Sequence, residues 1–182
     1  MLSKKMAFLA LLIFIICGNV FSMDIIPESY WGNYAGSSIT LRSFKEKLTE
    51  VINDGAIPEA FWRFYAGSSV TLRSFKEKLA EIENDGTIPE NYWVFYAGSS
   101  VSLRSFKEKL AEIRNDGVVP EDFWVFYASS SISLRSFKEK MEEIRNDGTI
   151  PQVYWINYAR SSISLQSFKD KLNDIMNNNS LP

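Results

Sequence analysis

Apolar and aromatic positions along this chain alternate between two kinds of block. In one, Phe61, Trp62, Phe64 and Tyr65 crowd together behind Pro58 and Glu59. Proline suits the first turn of a helix, and a carboxylate there faces the positive end of the dipole, so this block predicts a short aromatic helix. Ala66-Gly67-Ser68-Ser69 breaks it. In the other block Leu72, Phe75, Leu79 and Ile82 fall at spacings of 3, 4 and 3, one stripe on an amphipathic helix. Thr71 is placed as its N-cap, with Val70 and Phe75 as a hydrophobic staple, while Ser74-Phe75-Lys76-Glu77 offers a competing start. Asn84-Asp85-Gly86 ends it, glycine taking the left-handed position after the helix, and Pro89 prevents continuation.

The pair of blocks recurs. Trp31, Trp62, Trp93, Trp124 and Trp155 are spaced by 31 residues, and Pro27, Pro58, Pro89, Pro120 and Pro151 keep the same step without insertion or deletion. Repeats of this length indicate stacked supersecondary units, each too small to bury its own apolar face. The expected fold is therefore all-α: a right-handed-type α-solenoid of five tandem 31-residue helix-turn-helix repeats, with a compact helical-repeat bundle as the alternative. The repeats run approximately over 26–55, 56–86, 87–117, 118–148 and 149–178, within a single domain of residues 23–178 followed by a frayed tail, 179–182. The step is close to tetratricopeptide and ankyrin lengths, but the motifs of neither occur.

The aromatic rows Trp31, Trp62, Trp93, Trp124, Trp155, with Tyr65, Tyr96, Tyr127 and Phe75, Phe106, Phe137, are read as structural core. Departures from the repeat carry further information. Phe64, Phe95 and Phe126 in the inner copies correspond to Asn33 and Asn157 in the outer two, the polar capping expected where a solenoid runs out of neighbours. Ile52, Glu83, Arg114, Arg145 and Met176 share one position without common chemistry, as a solvated site would.

The N-terminus changes the setting. Lys4 and Lys5, an apolar run from Met6 to Cys17 and a small-residue site ending at Ser22 have the outline of a secretory signal peptide over residues 1–22. The apolar run is shorter than the ~20 residues that span a bilayer, and no later segment can span one. Cleavage removes two lysines and the only cysteine, leaving 18 basic against 22 acidic side chains, a net of −4. A chain without histidine or cysteine lacks disulfides and the usual ligands for zinc, copper or haem, so no cofactor and no metal is expected. The acidic balance argues against nucleic acid.

Candidate chemistry is sparse. A calcium loop set on Gly86 as position 6 would put Tyr92 at position 12, and the following copies put Arg114 and Arg145 at position 3, where a cation repels the ion. Ser68-Ser69 and its equivalents offer hydroxyls without an activating base, the nearby lysines being assigned to a wet face. Carboxylates that recur in every copy do not form the unique pair that glycoside hydrolysis needs. Asn178-Asn179-Ser180 matches a glycosylation acceptor in the tail. The row Arg42, Arg73, Arg104 and Arg135, ending in Gln166, is the candidate binding feature: a ladder for an acidic partner, or else intrahelical pairs with Glu46, Glu77, Glu108 and Glu139.

These features imply no enzyme. They describe a secreted or extracellular protein, periplasmic in a Gram-negative source, that acts as a multivalent interaction or structural scaffold. Its partner is another protein or an extracellular surface component, with self-association in the same class. The alternative is a multicopy secreted peptide precursor cut between repeats.

Overall fold

A computed structural model describes residues 25–179 of the chain. The signal-peptide segment, Cys17 and the end of the glycosylation acceptor lie outside the described residues. Every described element is helical, and the architecture is the expected tandem array of helix-turn-helix repeats. The inner helices are α1 (Trp31–Ala35), α3 (Glu59–Ala66), α5 (Trp93–Ala97), α7 (Trp124–Ala128) and α9 (Trp155–Ala159). The outer helices are α2 (Leu41–Asp54), α4 (Leu72–Asp85), α6 (Leu103–Asp116), α8 (Leu134–Asp147) and α10 (Leu165–Asn179).

Local chemistry sets these boundaries. Ahead of α1, α5, α7 and α9 the chain forms a tight 3₁₀ turn behind the proline, as at Glu90–Tyr92, whereas α3 is continuous from Glu59. Each tryptophan then fastens the incoming loop: its indole N–H donates to the carbonyl five residues back, Trp93 to Ile88 and Trp124 to Val119 at 2.9 Å. At the outer helices the competing start is resolved. Thr71 is the N-cap, its hydroxyl accepting from the Ser74 N–H at 3.2 Å, and Ser102 and Ser133 do the same for Ser105 and Ser136. Val70 and Phe75 pack in one cluster, as a staple requires. Gly86 and its equivalents end the helices at φ near +65°, which is the ordinary left-handed C-cap and accounts for these glycines without calcium.

Neighbouring repeats are joined by two side-chain latches. The Tyr65 hydroxyl donates to Glu50 of the preceding repeat, and Tyr96, Tyr127 and Tyr158 donate likewise to Glu81, Glu112 and Glu143. In the other direction Lys78 reaches the next Ser-rich turn, donating to the carbonyls of Ser99 at 2.7 Å and Val101 at 2.6 Å while lying 4.2 Å from the Tyr96 ring centre. Lys109 repeats this at Ser130 and Ile132. The lysines assigned from sequence to a wet face are therefore half-buried joints, because the long aliphatic stem can be covered while the ammonium finds carbonyls.

The same two latches also join the last repeat to the first. Tyr34 donates to Asp174 at 2.9 Å, and Lys171 donates to the Ser37 carbonyl at 2.8 Å and to that of Ile39. Ile175 packs with Tyr34 and Phe44, and Ala35 with Tyr158 and Phe168. The stack is closed, so each repeat turns the chain by about 72°, one fifth of a circle. Inner helices 8–10 Å apart then stand about 8 Å from the axis, a space that side chains can fill.

Closure corrects the reading of Asn33 and Asn157 as end caps. Neither faces a free end, since none exists among the described residues. Asn33 is buried, and Asn157 lies against Gly32 and Gly36 across the seam. Both belong to the axial ring that also holds Phe64, Phe95 and Phe126, whose rings meet edge to face at 4.8 Å. Five inward phenylalanines would overfill this axis, and asparagine at two positions relieves the crowding.

The inner helices approach most closely at glycine. A Cβ on Gly36 would stand 2.5 Å from the Asn157 carbonyl oxygen, on Gly67 2.8 Å from that of Asn33, and on Gly98 3.1 Å from that of Phe64. Gly36→Ala is expected to destabilise by about 1–3 kcal/mol, lowering the melting temperature by several degrees, while Gly98→Ala changes it far less. In an open stack Gly36 would have no neighbour across the seam, and its replacement by alanine would be neutral or mildly stabilising. Thermal melting of the two variants therefore tests closure directly.

Candidate binding surfaces

The Tyr, Phe and Trp rows occupy the core and its margin. Tyr65, Tyr96, Tyr127, Phe75, Phe106 and Phe137 are buried. Trp31, Trp62, Trp93, Trp124 and Trp155 are half-buried, each with its indole N–H spent on the loop carbonyl. Their rings pack at the margin of the core.

Arg42, Arg73, Arg104 and Arg135 stand at the second position of their outer helices and are 88–89% exposed. Each donates from Nε to the glutamate four residues on, at 2.8 or 2.9 Å. Gln166 keeps the same bond to Asp170 at 2.8 Å. Because successive repeats turn about the axis, these side chains diverge around the perimeter instead of lining one straight edge. Exposed pairs of this kind contribute only a few tenths of a kcal/mol, so their guanidinium groups can exchange partners at little cost.

A second set of charges ties the loops between repeats. Lys76, Lys107, Lys138 and Lys169 pair with Asp54, Asp85, Asp116 and Asp147 of the preceding repeat. The lysine holds each carboxyl below the usual carboxylate range. At the seam the aspartate position is Asn178, which shares a groove with Lys45.

On the axis the two ends differ. At the Ser-rich end a bowl of about 130 Å³ is lined by the serine pairs of all the repeats, by Phe95 and by Arg160. Arg160 occupies the position held by Gly36, Gly67, Gly98 and Ser129. Position 32 and its equivalents face the preceding repeat, Gly32 against Asn157 and Tyr154, and Val94 beside Tyr65 and Phe75. Here Arg63 lies over the Phe64 ring at 4.9 Å and donates to the Ser29 carbonyl at 3.5 Å, its Nε buried without a partner. The serines divide into two classes. Ser37, Ser68, Ser99, Ser130 and Ser161 are buried and donate to the preceding tyrosine carbonyl at 2.6–2.7 Å. Ser38, Ser69, Ser100, Ser131 and Ser162 are exposed to the bowl.

Lys78 lies 3.4 Å from the Ser99 Oγ, which superficially resembles a nucleophile and base. The hydroxyl proton is committed to the Tyr96 carbonyl and the ammonium to the Tyr96, Ser99 and Val101 carbonyls, so the pair is a structural joint. Burial pushes Lys78 and Lys171 down to about 8, with Glu81 and Asp174 opposing. The carbonyls and the tyrosine face also favour the charged form, and both lysines remain ammonium at neutral pH. No cluster of acidic residues suited to a metal ion occurs among the described residues.

The chain matches no protein family, characterised protein or solved structure.

The bowl is not among the candidates that the sequence singles out. Its signal is present there as the series Gly36, Gly67, Gly98, Ser129, Arg160, but a growing side chain at one register position acquires meaning only when the positions converge on an axis.

Alkali should expose the latch chemistry. Burial, followed by the neighbouring carboxylate, raises Tyr34, Tyr65, Tyr96, Tyr127 and Tyr158 well above the ordinary value near 10. A raised folded-state pKa keeps the proton on the folded form, so stability is intact below pH 10 and lost as the unfolded tyrosines ionise above it. The depressed lysines act oppositely: the folded form releases protons first, and stability gains modestly between about pH 8 and 10.5. Melting temperature should therefore hold or rise slightly to pH 10 and then fall steeply, with tyrosinate absorbance appearing together with loss of helicity. Tyrosinate absorbance near pH 10 in a still-helical protein, beyond what Tyr30, Tyr92 and Tyr154 outside the latches can supply, would contradict the latch.

Proposed function

We propose that this protein is an exported, non-catalytic ring that engages an acidic extracellular partner through several copies of one exposed surface. The observation behind this reading is the recurrence of Arg42, Arg73, Arg104 and Arg135 on the perimeter, each almost fully exposed and held only by a weak intrahelical pair. Recurrence with equal geometry suits binding, where weak contacts add through effective concentration, better than catalysis, where one constellation suffices. Closure shapes that multivalency. A straight partner meets one or two repeats, whereas a dense acidic surface, or several partner molecules, meets more. The partner is an acidic protein or surface component outside the cell, and the signal-like N-terminus supplies the route there.

Replacing Arg42, Arg73, Arg104 and Arg135 together by Gln should lower melting by no more than about 5 °C and leave the fold intact, since each exposed pair contributes only a few tenths of a kcal/mol. On biosensor surfaces coated with polyglutamate at rising density, the parent should show dissociation that slows with density and quickens with salt, and the variant should lose most of its retention. Equal retention of parent and variant would remove the arginines from the interface. Intact-mass measurement of secreted material bears on the rest: the reading expects one chain beginning near Met23, whereas fragments of about 31 residues would favour a peptide precursor.

A further inference from the structure

The axial bowl is the one place where a single small ligand can touch every repeat, and its chemistry is distinct from that of the perimeter. Four of the five equivalent positions are Gly36, Gly67, Gly98 and Ser129, which leave the hollow open, and the fifth places Arg160 in it. Among the described residues no carboxylate lines the hollow. Arg160 makes no ion pair and no side-chain hydrogen bond with them, in contrast to the perimeter arginines. Partial burial lowers its pKa to about 10, so it stays charged at neutral pH with no carboxylate beside it. A half-buried guanidinium without a counter-charge favours an anion, and its fork of N–H donors matches an oxyanion.

The surroundings are consistent with that charge. The inner helices present their C-terminal ends here, which by themselves would repel an anion. Their tyrosine carbonyls, however, already accept from Ser37, Ser68, Ser99, Ser130 and Ser161, and Lys78, Lys109 and Lys171 bind the next carbonyls of the turn. The second serines, Ser38, Ser69, Ser100, Ser131 and Ser162, line the hollow with hydroxyls that have no protein acceptor among the described residues. A volume of about 130 Å³ fits one small ion, and Phe95 is its apolar wall.

We infer that the Ser-rich bowl on the axis is a binding site for one small oxyanion per ring, held by the Arg160 guanidinium and the ring of second-serine hydroxyls. This site is separate from the perimeter arginines, and its occupancy does not depend on the proposed extracellular partner. The ligand is a free tetrahedral ion such as sulfate or phosphate, or a carboxylate group such as a peptide C-terminus.

Isothermal titration of the purified chain with sodium sulfate, sodium phosphate and sodium acetate, at ionic strength matched with sodium chloride, tests it. Saturable binding with one site per chain is expected, and the order of sulfate, phosphate and acetate distinguishes the tetrahedral ion from the carboxylate. Arg160→Gly restores the residue found at this position in three other repeats, so the ring should still form, and anion affinity should fall by about tenfold or more. Arg160→Ser, which reproduces the fourth repeat's Ser129, serves the same purpose should the glycine variant melt early. Absence of saturable binding by all three anions overturns the inference. So does binding that survives both substitutions, or a stoichiometry near five, which would move the ions to the outer faces.

Discussion

Closure of the ring depends on one joint, repeated around the axis: a lysine from each outer helix inserts its ammonium into the next Ser-rich turn, under a tyrosine that is itself tied back to an acid on the same outer helix. Lys78, Glu81 and Tyr96 show the arrangement, with Lys171, Asp174 and Tyr34 as its counterpart across the seam. Every member has a partner, and the joint is half-buried, its acid at the surface and its tyrosine in the core, so no polar group is taken from water unpaired. The aliphatic stem of the lysine and the face of the tyrosine are apolar, so the joint also buries surface while fixing direction. A hydrophobic contact alone would tolerate a range of angles between repeats. Hydrogen bonds to named carbonyls do not, and a constant angle is what allows the last repeat to meet the first.

Closure alters the energetics of a repeat protein. Stability in such chains is the sum of unit and interface contributions, and an open array of five has four interfaces and two exposed ends. The ring has five interfaces and no ends, so terminal repeats need no special capping face. This explains why the outer copies differ so little from the inner ones on their repeat-facing surfaces. It also explains where the copies do differ. Perimeter positions each have their own space and can remain identical, but residues facing the axis share one volume. Asn33 and Asn157 replace phenylalanine there, and Arg160 occurs once where the other repeats have glycine or serine. Solvated positions of the perimeter vary as well, as at Ile52, Glu83, Arg114, Arg145 and Met176, but there each change is independent of the others.

Much of this is legible in the sequence, and the limit has a physical reason. The stripe Leu72, Phe75, Leu79, Ile82 and the caps at Thr71 and Gly86 are short-range features, set by contacts within a few residues. So is the pairing of Arg104 with Glu108, one helical turn apart. The angle between repeats is not of this kind. It arises from how deeply Gly36 or Gly67 lets one helix sit against the next and from where Lys78 ends, and a deviation of a few degrees per repeat separates an open spiral from a closed ring. Asn33 and Asn157 mislead for that reason: polar residues in the first and last copies signal free ends in a stack, and crowding relief in a ring. The lysines mislead for a related one, since alternation with acids looks solvated until the neighbouring turn is seen to supply carbonyls.

The seam shows how closure can be kept while the surface chemistry varies. The latch there uses Asp174 where the other repeats use glutamate, and Asn178 stands at the loop position of Asp54. Aspartate is one methylene shorter, and Tyr34 meets it at an ordinary hydrogen-bond length. Of the three glycine contacts between inner helices, the tightest, Gly36 against Asn157, lies at the same junction. A seam that is compact on the axis and has a neutral amide in place of the loop carboxylate divides its cohesion differently from the other four junctions. Apolar packing crosses the seam as it crosses the other junctions: Ile175 joins Tyr34 and Phe44 as Ile82 joins Tyr96 and Phe106, and Ala35 joins Tyr158 and Phe168 as Ala97 joins Tyr65 and Phe75. That packing is not screened by salt, so where Asn178 replaces the loop aspartate the ring is held by the same core contacts and the same tyrosine and lysine latches that join the other repeats.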